Sequence, residues 1–139
     1  MNVNTVLGFD YGEQRIGVAV GQTITASATP LVTLNAIKQK PDWLKIEALI
    51  NEWQPDLLIV GIPYYLDGRP SEMTLKAERF SRQLEGRFNL PVNNVNETLS
   101  SFEAEQEIQK KMKINQHNKQ EIDKMSAAII VQSWLEHNQ

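Results

Sequence analysis

The chain contains no cysteine, and no apolar run in it approaches the roughly 20 residues that a helix needs to cross a bilayer. Disulfide frameworks, thiolate zinc sites and cysteine nucleophiles are therefore excluded. The opening residues MNVNT have neither the basic region nor the apolar core of a signal peptide. We therefore expect no membrane association and a cytoplasmic location. The 139 residues fit one domain, 1–139.

Positive charge is also scarce, because 14 lysines and arginines face 17 aspartates and glutamates, giving a net charge of −3. That balance argues mildly against a nucleic-acid partner, since phosphate binding draws on lysine and arginine. Between residues 110 and 124, however, the lysines outnumber two acids, Glu121 and Asp123; they are Lys110, Lys111, Lys113, Lys119 and Lys124. These lysines bind substrate phosphate if a catalytic group lies beside them, and otherwise they belong to a solvated loop.

The hydrophobic pattern predicts alternating strands and helices. The predicted strands are 6–10, 15–20, 28–34, 57–60 and 91–95, and the predicted helices are 43–53, 73–84, one opening at a capping box on Ser100, and 123–136. Residues 115–120 are polar and predict a loop. This order favours an α/β fold with a mixed five-stranded sheet flanked by helices, in which strands 1–3 are antiparallel and strands 4 and 5 are parallel.

Three acids occupy the ends of these elements. Asp10 closes the first strand, Glu97 follows the fifth strand, and Asp123 begins the last helix. Ligands of open α/β sheets bind beyond the carboxyl ends of the strands, where these acids could meet. Neighbouring carboxylates repel each other, and a magnesium ion with oxygen ligands would relieve that repulsion. Each acid alone is also explained as a turn residue or a helix cap, so the residues alone indicate only a possible acidic metal site.

Four motifs resemble those of the YqgF (RuvX) family, in order and over nearly the whole chain. They are GFDYG at 8–12 with RIGVAVG at 15–21, LIVGIP at 58–63 with Asp67-Gly68, NETLSS at 96–101, and Ile122-Asp123 with SAA at 126–128. The resemblance implies an RNase H-like fold. It also implies that Asp10, Glu97 and Asp123 are catalytic residues that bind Mg²⁺ or Mn²⁺, and that the chain matures the 5′ end of 16S ribosomal RNA.

The third motif departs from the family pattern, which has Asp-Glu-Arg where this chain has Asn96-Glu97-Thr98. Glu97 is kept, but a negative charge and a phosphate-contacting arginine are lost. Arg15 and Lys119 are candidates to supply part of the missing positive charge, although Arg15 is equally explained as a surface residue of the hairpin.

Several functions stay open at this stage. We expect a nuclease that acts on precursor ribosomal RNA, within or outside precursor particles, as a monomer or weak homodimer. A branched-DNA (Holliday junction) resolvase is the alternative, which a stable dimer would favour. Outside the nuclease class stand a non-catalytic RNA-binding assembly factor and an actin-like sugar kinase, although such kinases need two domains of this kind.

Overall fold

The central sheet places three strand ends at one edge, where the candidate acids lie. The computed structural model describes residues 3–97 and 119–138. Its strands are β1 (Thr5–Asp10), β2 (Arg15–Gln22), β3 (Ser27–Asn35), β4 (Leu57–Ile62) and β5 (Val92–Asn96), in the order β3-β2-β1-β4-β5. The pairs β1–β2 and β2–β3 are antiparallel, and β4 runs parallel to both β1 and β5. The predicted mixed five-stranded sheet is confirmed.

The helices in the described residues are α1 (Trp43–Trp53), α2 (Glu72–Phe88) and α3 (Lys119–His137). The Asp42 side chain caps α1 by accepting from the Lys45 N–H, and α1 ends at Gln54, just before Pro55. Helix α2 opens with a capping box between Ser71 and Thr74. These local signals, together with apolar residues at helical spacing, explain why both helices were predictable.

The two faces of the sheet are covered by different helices. On one face α1 and α2 bury a core that includes Phe9, Ile46 and Phe80. On the other face α3 packs its Val131 and Ala127 against β1 and its neighbours. Because side chains alternate along a strand, Phe9 faces α1 and α2, whereas Asp10 lies on the α3 face.

The structure extends several predicted elements, and α2 continues four residues past Leu84 to Phe88. Strand β4 continues through Gly61 to Ile62, where the sequence predicted a stop at the glycine. Helix α3 includes Lys119 and Gln120, which were assigned to the polar loop. Its buried side also includes Ala127, Ile130, Val131 and Trp134, whereas Met125 and Ile129, predicted to face inward, are only partly buried. The capping box at Ser100 lies outside the described residues.

None of the helices in 3–97 and 119–138 is long and apolar enough to span a membrane.

Candidate metal centre

Backbone pairing places Asp10 between two glycines of the neighbouring strands. Asp10 is opposite Gly17 of β2 and opposite Gly61 of β4. The Glu97 N–H donates to the Ile62 carbonyl at 3.2 Å, which extends the β4–β5 ladder by one residue. Asp10 and Glu97 therefore leave the carboxyl ends of β1 and β5, the strands on either side of β4, at the same edge of the sheet.

The carboxyl groups of Asp10 and Glu97 are in hydrogen-bonding contact. Two ionised carboxylates only accept hydrogen bonds, so this contact needs either a shared proton or a cation between them. Burial, the contact with Glu97 and the charges of Glu97 and Asp123 raise the pKa of Asp10 well above its usual value. Burial also raises the pKa of Glu97. Without a cation the pair therefore favours the singly protonated state.

One oxygen of this pair lacks a partner. The Glu97 side chain is 4% exposed, and no hydrogen bond from the described residues reaches its Oε2 atom. A buried carboxylate oxygen without a donor is costly, so native proteins normally satisfy it with a protein group, a water molecule or an ion. Glu97 therefore offers a free hard-oxygen ligand at the Asp10 edge.

Asp123 is brought to the same edge by α3. It is the fifth residue of this helix as the structure describes it, so it lies in the second turn rather than at the helix start. Its Oδ2 atom accepts from Arg15 Nε at 2.7 Å, and its charge still contributes to raising the pKa of Asp10. Arg15 thus offsets part of the negative charge of the site.

Two glycines make this convergence possible. A Cβ atom on Gly17 would lie 2.0 Å from the Asp123 carbonyl oxygen, and one on Gly61 would lie 2.8 Å from Glu97 Oε2. Real Cβ atoms do not come so close, so both strands need glycine for α3 and Glu97 to reach Asp10. Gly17, an isolated glycine within a predicted strand, was the available signal for this close approach.

The lysines predicted to bind substrate are only partly described. Lys119 is the first described residue of α3, and Lys124, which directly follows Asp123, pairs with Glu121 at 2.8 Å. Lys110, Lys111 and Lys113 lie outside the described residues, as does Thr98. The role of these lysines and of Arg15 in substrate binding stays a prediction.

The chemistry of the site fits a hard divalent cation. All three candidate ligands are carboxylates, and the Asp10–Glu97 pair includes the partnerless Oε2 atom. Magnesium and manganese prefer such oxygen ligands. Within 3–97 and 119–138, however, no three acidic or histidine side chains are already arranged as a closed metal site. The Asp123 carboxylate is paired with Arg15 instead.

Comparison with known proteins identifies the family. The model of the RuvX family, described as "Holliday junction resolvase", matches residues 4–137. A protein of Pseudomonas putida is 47% identical over 138 residues, which cover 99% of this chain and 98% of the relative. One from Pseudomonas aeruginosa strain LESB58 is 47% identical over 130 residues, which cover 94% of this chain and 90% of the relative. Both relatives carry the name "Putative pre-16S rRNA nuclease".

Solved structures support the fold alone, because their sequence identity is low. The fowlpox virus Holliday junction resolvase superposes with a TM-score of 0.58 at 14% identity, covering 97% of this chain and 99% of that one. T. thermophilus RuvC, solved with a Holliday junction substrate, superposes with a TM-score of 0.52 at 14% identity, covering 96% of this chain and 94% of that one. The match to the family model over nearly the whole chain, with relatives 47% identical, shows that this chain belongs to the RuvX family.

Proposed function

We propose that this chain is a metal-dependent nuclease that hydrolyses phosphodiester bonds of precursor 16S ribosomal RNA. One arrangement of the three acids carries the proposal. The carboxyl groups of Asp10 and Glu97 are in contact, one buried Glu97 oxygen has no partner among the described residues, and the charge of Asp123 reaches Asp10 from α3. With both carboxyl groups ionised such an arrangement is unfavourable unless a cation binds. The names of the relatives support the RNA substrate, and membership of the family supports dependence on a divalent metal.

The three acids would hold the metal ion that the proposed hydrolysis needs. Asp10 and Glu97 would be the main ligands of Mg²⁺ or Mn²⁺, and without the ion the pair would hold one proton. Asp123 would complete the ligand set from the helix side, through the carboxylate oxygen that Arg15 leaves free. When bound, the ion favours deprotonation of the attacking water and offsets charge on the departing oxygen.

Arg15 then has a second use. Its side chain is 28% exposed beside the acids, so it can approach an anionic substrate while holding Asp123 in position. An arginine next to a scissile phosphate stabilises the charge that develops during cleavage. This role would replace part of the arginine that the family pattern has at position 98.

The test is cleavage of a precursor 16S fragment and of a four-way DNA junction with Mg²⁺. We expect RNA cleavage by the wild type, and a loss of at least about 100-fold in Asp10→Asn, Glu97→Gln and Asp123→Asn. Because ligands of one ion act as a unit, the Asp10→Asn, Glu97→Gln double variant should be no worse than either single variant. Glu121→Gln, two residues before Asp123 in α3, is the matched control and should cut normally.

Three results would count against the proposal. Full activity in the Asp10→Asn and Glu97→Gln variants would refute the assignment of these acids to a metal centre. Cleavage of the junction but not the RNA would favour the resolvase that the family description names. Tight RNA binding without cleavage by the wild type would indicate a non-catalytic assembly factor.

A further inference from the structure

A basic groove lies on the α1–α2 face of the sheet, beside the turn that follows Asp10. Its cavity of about 410 Å³ is lined by cations from the β3–α1 loop and from α2, namely Lys38, Lys40, Lys76, Arg79 and Arg87. Glu13 is the one carboxylate among its lining residues in the described part of the chain. Five cations and one acid thus meet in a chain whose net charge is −3.

Most of this charge is not neutralised. Lys76 pairs with Glu13 at 2.9 Å and with Glu72 at 3.5 Å. By contrast, Lys38, Lys40 and Arg79 form no ion pair with any carboxylate in 3–97 or 119–138. Like charges gathered in a concave site raise the local positive potential and attract an anion.

The loop that presents the lysines has an unusual backbone. Lys38 and Gln39 have φ angles of 51° and 65°, and Ile37 and Lys40 exchange two backbone hydrogen bonds of 2.8 and 3.0 Å around them. Two successive residues with positive φ form a tight turn that normally selects glycine or asparagine. Here a lysine and a glutamine occupy those positions, a strained choice of the sort found at functional sites.

The groove is continuous with the candidate metal centre along the chain. Tyr11, which follows Asp10 directly, lines the groove and packs against Phe80 with ring centroids 4.9 Å apart. A strand whose scissile phosphate lies at Asp10 on the α3 face can therefore pass around the end of β1 into the groove on the other face.

The aromatic side chains indicate which part of a nucleotide is recognised. One face of the Trp43 ring stacks on Phe80 with centroids 5.6 Å apart, and Arg87 lies 4.2 Å from the centroid of the same ring. These contacts occupy the ring that would otherwise stack on a base. Charge, rather than base stacking, is what this groove offers to a ligand.

We propose that the basic groove binds the phosphate backbone of the single-stranded RNA that leads away from the cut site, without reading its bases. The proposal rests on the proposed nuclease function. A concave cavity of ligand-pocket size suits one flexible strand, whereas the side of a duplex is too wide to enter it. Lys38, Lys40 and Arg79 contact phosphates, and Arg87 is held against Trp43 with its charge facing the groove.

The test compares Lys38→Ala, Arg79→Ala with a matched double variant, Lys45→Ala, Arg82→Ala. The control residues are exposed cations on α1 and α2 that do not line the groove. Fluorescence anisotropy with a labelled single-stranded RNA fragment, in EDTA and over a salt series, separates binding from cleavage. Each lost phosphate contact should reduce the slope of log K against log salt by about 0.7, so the groove variant should lose about 1.4 and the control nothing.

Unchanged slope and affinity in the groove variant would overturn the inference, as would a loss confined to duplex DNA. Cleavage with Mg²⁺ then distinguishes the two proposals. If the wild type cuts and the groove variant keeps its KM, the groove proposal fails while the nuclease stands. If the wild type binds RNA through the groove but cuts nothing, the groove stands and the nuclease fails.

Discussion

Replacing Gly17 with alanine should displace the helix that carries Asp123. The new Cβ would lie 2.0 Å from the Asp123 carbonyl oxygen, 2.4 Å from its carbonyl carbon and 2.9 Å from the Lys124 nitrogen. All three atoms belong to the backbone, so no side-chain rotation can relieve the overlap. To reach 3.4 Å, where ordinary contact begins, strand and helix must separate locally by about 1.4 Å.

Both stability and activity should respond. Overpacking of this kind typically destabilises a protein by about 1–3 kcal/mol. A displacement of about 1 Å at a catalytic group can reduce the rate by roughly 100-fold. We therefore expect Gly17→Ala to fold with reduced stability and to lose about two orders of magnitude in Mg²⁺-dependent cleavage, measured as kcat on the precursor RNA fragment.

Gly21→Ala is the matched control, because Gly21 lies in the same strand and faces the same helix. Its Cβ would meet side-chain atoms, Val131 Cγ1 at 2.5 Å and Val6 Cγ2 at 3.0 Å. These atoms can move without displacing the start of α3, so stability should fall comparably while activity stays within about threefold of the wild type. The reasoning is refuted if Gly17→Ala cuts at the wild-type rate, or if Gly21→Ala loses as much activity.

Three further substitutions test the electrostatics and the core. Asp10→Asn should stabilise the metal-free protein by roughly 1–3 kcal/mol at pH 7, measured by urea unfolding. Folding raises the pKa of Asp10, so the stability of the wild type falls as the pH rises above the unfolded pKa of 3.8, and the gain should vanish near pH 4. Equal stability of the two proteins at pH 7 would contradict this prediction. Asp56→Ala should reduce the free energy of unfolding by about 1–2 kcal/mol at pH 7, because the Asp56 side chain accepts hydrogen bonds from the N–H groups of Asn4 and Thr5 at 2.8 and 3.1 Å. Folding lowers the pKa of Asp56, so this loss should shrink below pH 3.8, and a loss that does not change with pH would refute the prediction. Phe80→Ala should destabilise the fold by about 3–5 kcal/mol in the same unfolding assay, because the Phe80 side chain is 1% exposed and its removal leaves a cavity. A destabilisation under 1 kcal/mol would show instead that the α1–α2 core collapses into that cavity.

The elements were predictable wherever local signals agreed with burial. The apolar run of β4 is buried at every position, as a strand covered on both faces requires. Its end was predicted wrongly because glycine usually interrupts a strand. Here Gly61 continues the strand, since Glu97 and the Ile130 side chain occupy the space where a Cβ would lie.

The last helix shows a second limit. Apolar residues lie on more than one side of α3, so periodicity could not identify the buried face. Val131 and Trp134 are buried by contact with the sheet, whereas Met125 and Ile129 are only partly covered. That outcome depends on the angle at which the helix crosses the strands, which the sequence pattern does not contain.

The sequence was enough to single out the candidate acids of the site, but not the residues that surround them. Asp10, Glu97 and Asp123 stood out as acids at element ends and in family-like motifs. The ion pair of Arg15 with Asp123 joins residues 108 positions apart. The basic groove likewise joins Lys38 to Arg79 and Arg87 across two helices. Single-sequence patterns carry no information on such distant contacts.

Equilibrium binding of Mn²⁺ tests the metal centre most directly. The free ion can be measured by electron paramagnetic resonance for the wild type, Glu97→Gln and the control Glu121→Gln. The wild type and the control should bind with equal affinity, and Glu97→Gln should bind at least about tenfold more weakly, because it loses the buried partnerless oxygen. Equal Mn²⁺ affinity in a folded Glu97→Gln protein would contradict the assignment of this site.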